Sequence, residues 1–360
     1  MLAHPSRSDS IPAVIGWDVG GAHLKAVVID AQGLVLEVLQ IPCALWRGLS
    51  ELEQATSKAL AKLSVTPHRH ALTMTGELVD IFINRHEGVL AIAQAMQNQL
   101  TGQLSFYAGR QGFVDIAAVA KHSAQIASAN WLASADFVAT QVAEGLLIDI
   151  GSTTADFVVL AKGQAQPQGF SDAERMRFDE LVYTGVVRTP LMALCHKITF
   201  AGHEVNIAAE HFATTADVYR LTAELVLAED MADTADGAGK TQFESARRLA
   251  RMIGHDVESF DMATWEVLAH AFKNAQLEIL KQAIHSALSR GLLTTQAPLI
   301  GAGAGRFLVA QLASEMNRAY IELESLIPKA SHQQTKASLC LPAYAVAKLA
   351  QDLRHQELDT

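Results

Sequence analysis

At 360 residues, half of them apolar and 18% charged, the chain has globular composition and enough length for two domains with separate cores. A formal net charge of −10 argues against nucleic acid as the main partner, because phosphate-backbone binding needs clustered Lys and Arg. Cys43, Cys195 and Cys340 stand far apart without a CxxC pair, so no disulfide framework and no structural zinc site follows. Residues 1–12 read as a loose leader without a signal-peptide core, and no apolar run reaches membrane length, so a cytoplasmic protein is expected.

In chain order, residues 14–18 and 24–30 read as a strand hairpin and 34–41 as a third strand. Apolar positions at Leu52, Ala55, Ala59, Leu60 and Leu63 give 50–63 a helical period. His68, Arg69 and His70 read as a solvated turn opening a buried strand that ends at Thr75. Two carboxylates, Glu77 and Asp80, follow it. Helices are expected over 88–100 and through the Ala-rich stretch 115–133. A second strand pair covers 146–159. The segment 183–190 (YTGVVRTP) sets Arg188 in apolar company. Helices over 210–228 and 243–253 are expected to flank a mobile polar loop, 230–239, with Arg247, Arg248 and Arg251 on a solvated face. A long helix over 264–290 precedes 298–305 (PLIGAGAG), a buried strand breaking into a glycine turn, and helices over 306–319 and 341–353 close the chain.

The two strand pairs are near-copies. Residues 15–28 read IGWDVGGAHLKAVV and residues 146–159 read LLIDIGSTTADFVV, so Asp18 aligns with Asp149, Gly20 with Gly151 and Lys25 with Asp156. Each copy is an apolar strand, an Asp, a glycine turn and a returning strand. Such a turn bares backbone N–H groups for phosphate, and an Asp at a strand end suits a divalent cation. Gly20, Gly21, Ala22 and His23 form the first candidate phosphate turn, with Lys25 beyond it. Gly151, Ser152, Thr153 and Thr154 form the second, with hydroxyls suited to phosphate oxygens. A plain Gly-Gly hairpin would explain one turn, but it gives no reason to repeat the preceding Asp. Gly301, Gly303 and Gly305 mark a third candidate, either an anion site at a helix start or close strand-to-helix packing through small residues. The duplication implies two α/β halves, 12–130 and 131–360, the second with a helical insertion at about 205–295, and a ligand cleft between them.

The repeated Asp-Gly hairpin with a later GxGxG turn resembles the phosphate and adenosine signatures of the sugar kinase, Hsp70 and actin superfamily, which implies two ribonuclease H-like domains. A closer resemblance rests on the ordered set DVGGAHLKA, TMTGELVDIFINRHEGV, NWLASA, DIGSTTADFV, YTGVVRTPLMAL, EHFATTADVYRL and RRLARMIGHD. These segments look like the hydantoinase A/oxoprolinase-like branch linked to tetrahydromethanopterin-dependent C1 transfer, whose members include an ether-forming synthase of methanofuran biosynthesis. That resemblance departs at His23-Leu24, where Asn-Thr is expected, and at Ala155, where Thr is usual. It implies a transferase that joins a furan-methyl diphosphate donor to a phenolic acceptor of tyramine or tyrosine type. Mg²⁺ or Mn²⁺ would sit near Asp18 and Asp149, Lys25 would stabilise the leaving diphosphate, and Arg188 would hold a phosphate or carboxylate. Asp156 is the favoured base, with Glu77 and Asp80 as rivals. An ATP-dependent hydantoinase-like hydrolase or small-molecule kinase is the other reading, and a non-catalytic module on the same fold a third. The expected partners are small molecules, with neither nucleic acid nor membrane, and a homo-oligomer is compatible with all of this.

Overall fold

A computed structural model describes residues 13–64, 69–226, 230–329 and 337–358. The chain divides into two compact units, one made of 1–141 with 324–360, the other of 142–323.

The first unit is built on β1 (Val14–Val19), β2 (His23–Ile29) and β3 (Val35–Pro42), followed by helix α1 (Leu49–Lys62), β4 (Arg69–Met74), α2 (Arg85–Gln99), β5 (Gln103–Tyr107), β6 (Phe113–Val114), α3 (Ser123–Ile126) and α4 (Asn130–Gln141). Its sheet runs β3-β2-β1-β4-β5-β6, antiparallel from β1 to β3 and parallel from β1 through β4 to β5. β1 is central, and all six of its residues are buried. Such a strand is covered on both faces and therefore reads as a nearly unbroken apolar run. α2 starts where Asn84 accepts the Glu87 N–H at 2.9 Å, the usual N-cap bond.

The second unit repeats the plan with β7 (Gly145–Ile150), β8 (Ala155–Ala161), β9 (Gln164–Ala165), α5 (Asp172–Arg177), β10 (Leu181–Val182), β11 (Lys197–Phe200), β12 (His203–Asn206), α6 (Thr215–Leu221), α7 (Gln242–Met252), α8 (Met262–Ser289), β13 (Leu299–Ala302), α9 (Arg306–Glu315) and β14 (Tyr320–Glu322). Its main sheet runs β10-β8-β7-β13-β14. With the short β9 set aside as an addition on β8, both sheets share the order third, second, first, fourth, fifth. Each unit is thus an α/β domain with a ribonuclease H-like order of strands. Helices α6, α7 and α8 pack into the apolar core of the second unit and form its helical addition.

The chain then returns. α10 (Leu341–Leu358) packs on β1, β2, β4 and α4 of the first unit. The whole stretch 131–360 was expected to be the second domain; instead α4 and α10 belong with the first half. The reason is at Gly16, whose missing Cβ lets the Ala343 carbonyl of α10 rest on the strand.

Several local expectations shift for identifiable reasons. The helix expected at 210–228 shrinks to α6, because residues 213–215 pair with the segment before them: Leu191 N–H donates to Ala213 O and Thr215 N–H to Thr189 O. The stretch 115–133 breaks at Ser128, which takes a left-handed φ of 50°. His70 is not in a solvated turn. It is buried on β4, accepts the Trp17 Nε1–H on Nδ1 at 3.1 Å and meets Thr101 O with Nε2 at 3.0 Å, which fixes the Nε2–H tautomer. His68 lies outside the described residues. Arg248 is fully buried rather than solvated, and the loop after residue 230 is anchored to it and to Arg220. Among the described residues no helix is long and apolar enough to cross a membrane.

Candidate functional site

The repeat seen in the primary structure is a repeat in register. In the first hairpin Asp18 stands opposite Lys25, and in the second Asp149 stands opposite Asp156. Both turns close with the same bond, Gly20 N–H to His23 O at 3.0 Å and Gly151 N–H to Thr154 O at 2.8 Å.

Each turn is also braced from outside. Cys43 N–H donates to Ala22 O and Leu45 N–H to Gly21 O, at 2.9 and 3.0 Å. In the second unit Val186 N–H donates to Gly151 O at 3.0 Å, while Val187 and Arg188 N–H share Ser152 O at 3.1 and 2.8 Å. A trans peptide points its C=O and the following N–H in opposite directions. Carbonyls held toward the brace therefore turn the N–H groups of Ala22 and His23, and of Ser152 and Thr153, away from it. A pair of successive N–H groups turned the same way is the element of an anion nest.

The carboxylates differ in character. Asp18 is buried; its Oδ2 lies 4.0 Å from Lys25 Nζ and its Oδ1 has no hydrogen-bond partner. Burial pushes its pKa up, and Lys25 pulls part of that shift back. Asp149 is half-buried beside Gly303, where an added Cβ would collide with Asp149 Oδ1. Asp156 is engaged by Arg175 at 2.8 Å. Its pKa is nevertheless raised, because burial outweighs the guanidinium. Glu77 is buried and accepts a hydrogen bond from Ser128 at 2.6 Å, whereas Asp80 and Arg188 are exposed. Arg188 contributes its backbone to the brace, an unforeseen role.

The third glycine turn is explained largely by packing. Gly301 lies inside β13 against the Tyr320 ring, and Gly305 packs on the Ile150 side chain. Gly303, at φ +75°, closes on the end of β7. Only Gly303 touches a candidate acid.

Sequence reasoning missed what holds the brace. Gly185 leaves no room for a Cβ against the Ser152 and Thr153 backbone. Its N–H donates to Thr189 Oγ1 at 2.8 Å, and its carbonyl accepts from Thr215 Oγ1 at 2.9 Å. The TGxxxT spacing at 184–189 was the available signal; nothing in the local pattern pointed to 215.

Among the described residues no group of three or more His, Cys, Asp or Glu side chains is arranged for a metal ion. Mg²⁺ does not require one, since it commonly takes one or two carboxylates and completes its shell with water and substrate phosphates. The unpartnered Asp18 Oδ1 and the half-buried Asp149 fit that mode.

Comparison with known proteins gives a consistent picture. The hydantoinase/oxoprolinase family pattern matches residues 69–353. A protein of Methanocaldococcus jannaschii is 28% identical over 340 residues, covering 94% of this chain and 97% of that protein; it is called (4-{4-[2-(gamma-L-glutamylamino)ethyl]phenoxymethyl}furan-2-yl)methanamine synthase. A Methanococcus vannielii protein of the same name is 32% identical over 124 residues, 34% of this chain and 55% of that protein. Among solved structures, nucleotide-free acetone carboxylase shares the fold, with a TM-score of 0.53 at 9% identity over 84% of this chain and 66% of that one.

Proposed function

The chain belongs to the hydantoinase/oxoprolinase family, and on that premise we propose that it is an aryl-ether-forming synthase of methanofuran-type coenzyme biosynthesis. It condenses an aminomethylfuran-methyl diphosphate with the phenol of a glutamyl-tyramine or tyrosine-type acceptor. The bond between the donor methylene and the diphosphate oxygen breaks, diphosphate departs with the electron pair, and the phenolic oxygen takes the methylene. The observation that carries this reading is near full-length similarity to a synthase named for that ether, on a chain whose Asp-Gly turns occur twice with their N–H groups turned alike.

The turn Gly151–Thr154 supplies what the departing group needs. Fixed N–H dipoles aimed where negative charge develops lower the barrier without reorganising at the moment of reaction, usually the largest catalytic contribution. Ser152, Thr153 and Thr154 add hydroxyl donors to that turn; in the first unit's turn the corresponding charge is Lys25, beside Asp18. Gly151 supports the assignment in a particular way: a Cβ there would meet nothing closer than Thr154 O at 3.6 Å. The fold does not need glycine at that position, which leaves close approach of a ligand as its use. Mg²⁺, when bound at Asp149 or Asp18, would neutralise diphosphate oxygens.

The phenol, with an ordinary pKa near 10, must lose a proton as it attacks. Asp156 takes it. Burial raises the pKa of this carboxyl, which makes it a stronger base than an exposed aspartate. Only the deprotonated carboxylate accepts a proton, so kcat is expected to climb with pH through a value above the ordinary carboxylate range and then level off. In Asp156→Asn that limb should vanish and the rate should drop by roughly 10²–10⁴-fold, the usual span for general base catalysis. A variant with an unchanged pH profile would move the role to Glu77.

The reading is tested with purified protein, synthetic donor diphosphate, Mg²⁺ and either acceptor, with mass detection of the ether and coupled detection of diphosphate. Ether and diphosphate in equal amounts are expected. Failure with both acceptors rules the assignment out. The reaction uses small soluble substrates, consistent with a cytoplasmic enzyme.

A further inference from the structure

We infer that Gln276, in the middle of α8, is a positioning residue for the turn Gly151–Thr154, acting through Thr184 and Gly185. This rests on the reading of that turn as the anion site. Gln276 is completely buried on the inner face of α8, among Phe272, Leu277 and Leu280 and one turn after the buried Lys273. A buried amide costs stability unless its groups are bonded, and here they are. Its Nε2 donates to Thr184 Oγ1 and to Gly185 O, each at 3.0 Å, and its Oε1 accepts from Tyr219 OH on α6. Gly185 O is thus held by two donors from different helices, Gln276 and Thr215.

What this fixes is the plane of the Gly185–Val186 peptide. With the Gly185 carbonyl pinned toward α8, the Val186 N–H must face the other way, and there it donates to Gly151 O. The bond to Gly151 O sets the next peptide plane in turn, so the Ser152 N–H is aimed by a chain of three restraints that begins at Gln276. The absent Cβ at Gly185 allows the brace to lie directly on the Ser152 and Thr153 backbone. Little slack exists between amide and turn. The side chain touches no ligand position, so its effect is on geometry alone.

The experiment uses the full chain with ¹⁵N-labelled serine and threonine. Amide resonances of Ser152 and Thr153 are recorded in wild type, Gln276→Met, Thr184→Val and Leu280→Ala. Leu280 is fully buried on the same helix and has no bond to the brace, so it reports simple loss of packing. Binding of inorganic diphosphate with Mg²⁺ is measured by calorimetry on the same samples. Gln276→Met is expected to move both amide resonances and to weaken diphosphate binding at least tenfold, and Leu280→Ala to do neither. Should the Met variant not fold, Thr184→Val removes one hydroxyl at nearly constant shape and is expected to move the same amides. Unmoved Ser152 and Thr153 resonances in the folded variants, or equal movement in Leu280→Ala, overturn the inference. Wild-type protein that ignores diphosphate overturns the anion reading instead, while the amide shifts still judge Gln276.

Discussion

Arg248→Met is expected to lower the unfolding free energy by about 3–5 kcal/mol, the cost of breaking a buried ion pair by removing one partner. The guanidinium is fully buried and uses nearly every donor it has. Nε donates to Asp217 Oδ1 at 2.8 Å, Nη1 to Asp236 Oδ1 at 3.0 Å, and Nη2 to Gly239 O and Ser245 Oγ at 3.1 and 3.3 Å. Methionine fills the space of the stem but takes the guanidinium donors away from these acceptors. Arg220 still grips Asp217 at 2.8 Å, which favours the lower end of the range. Lysine should rescue little, because a single ammonium does not span acceptors arranged for a planar fork.

This deficit should depend on pH with a definite sign. Burial pushes the Asp236 carboxyl up, but the Ala238 N–H and Arg248 outweigh it and hold it below the ordinary value. A carboxyl depressed in the folded state contributes stability that is complete above its unfolded pKa, near 4, and is lost as pH falls through the folded value. Wild type and Arg248→Met should therefore converge in acid. Urea titrations at neutral pH and near pH 3 give the comparison, and an equal gap at both would contradict the network's role.

Gly16→Ala is the second large effect, expected to cost at least 1–3 kcal/mol, the usual range for forcing extra atoms into a packed core. The new Cβ would overlap the Ala343 carbonyl, which is backbone and has no rotamer to escape into. α10 would have to lift, and it carries the buried Leu341, Ala343, Tyr344, Val346 and Ala347. Thermal unfolding and limited proteolysis report this, the second by early release of the end of the chain. Gly151→Ala is the matched control, since the space there is open and the same added methyl should cost little. Equal losses in the two variants would mean that the α10 contact is not what makes Gly16 necessary.

How far the molecule was legible beforehand can be traced residue by residue. The duplicated hairpins were visible because an Asp, a glycine turn and two strands are local, and the residues that align between the copies occupy matching rungs, Asp18 opposite Lys25 in one ladder and Asp149 opposite Asp156 in the other. Long helices such as α8 announced themselves by period. What escaped were relations between distant segments. Arg248 sits in a run that reads as a charged helix face, and only the acids brought to it by α6 and the following loop make burial tolerable. His70 looked polar and proved central, because Trp17 on the adjacent strand supplies its donor. Gln276 and Thr215 carry no signal at all in a linear pattern. Gly301 and Gly305 advertised an anion turn, and the neighbours that explain them, Tyr320 and Ile150, lie on other strands.

The placement of α10 also has a temporal side. The unit formed by 142–323 is continuous in the chain and is complete on the nascent polypeptide while its predecessor still lacks a helix. During synthesis the N-terminal segment generally folds first; here it must wait with the Gly16 face of its central strand uncovered until α10 has been made. The portion made earliest is thus completed after the second unit, and for that interval one apolar face of its sheet lacks the helix that covers it.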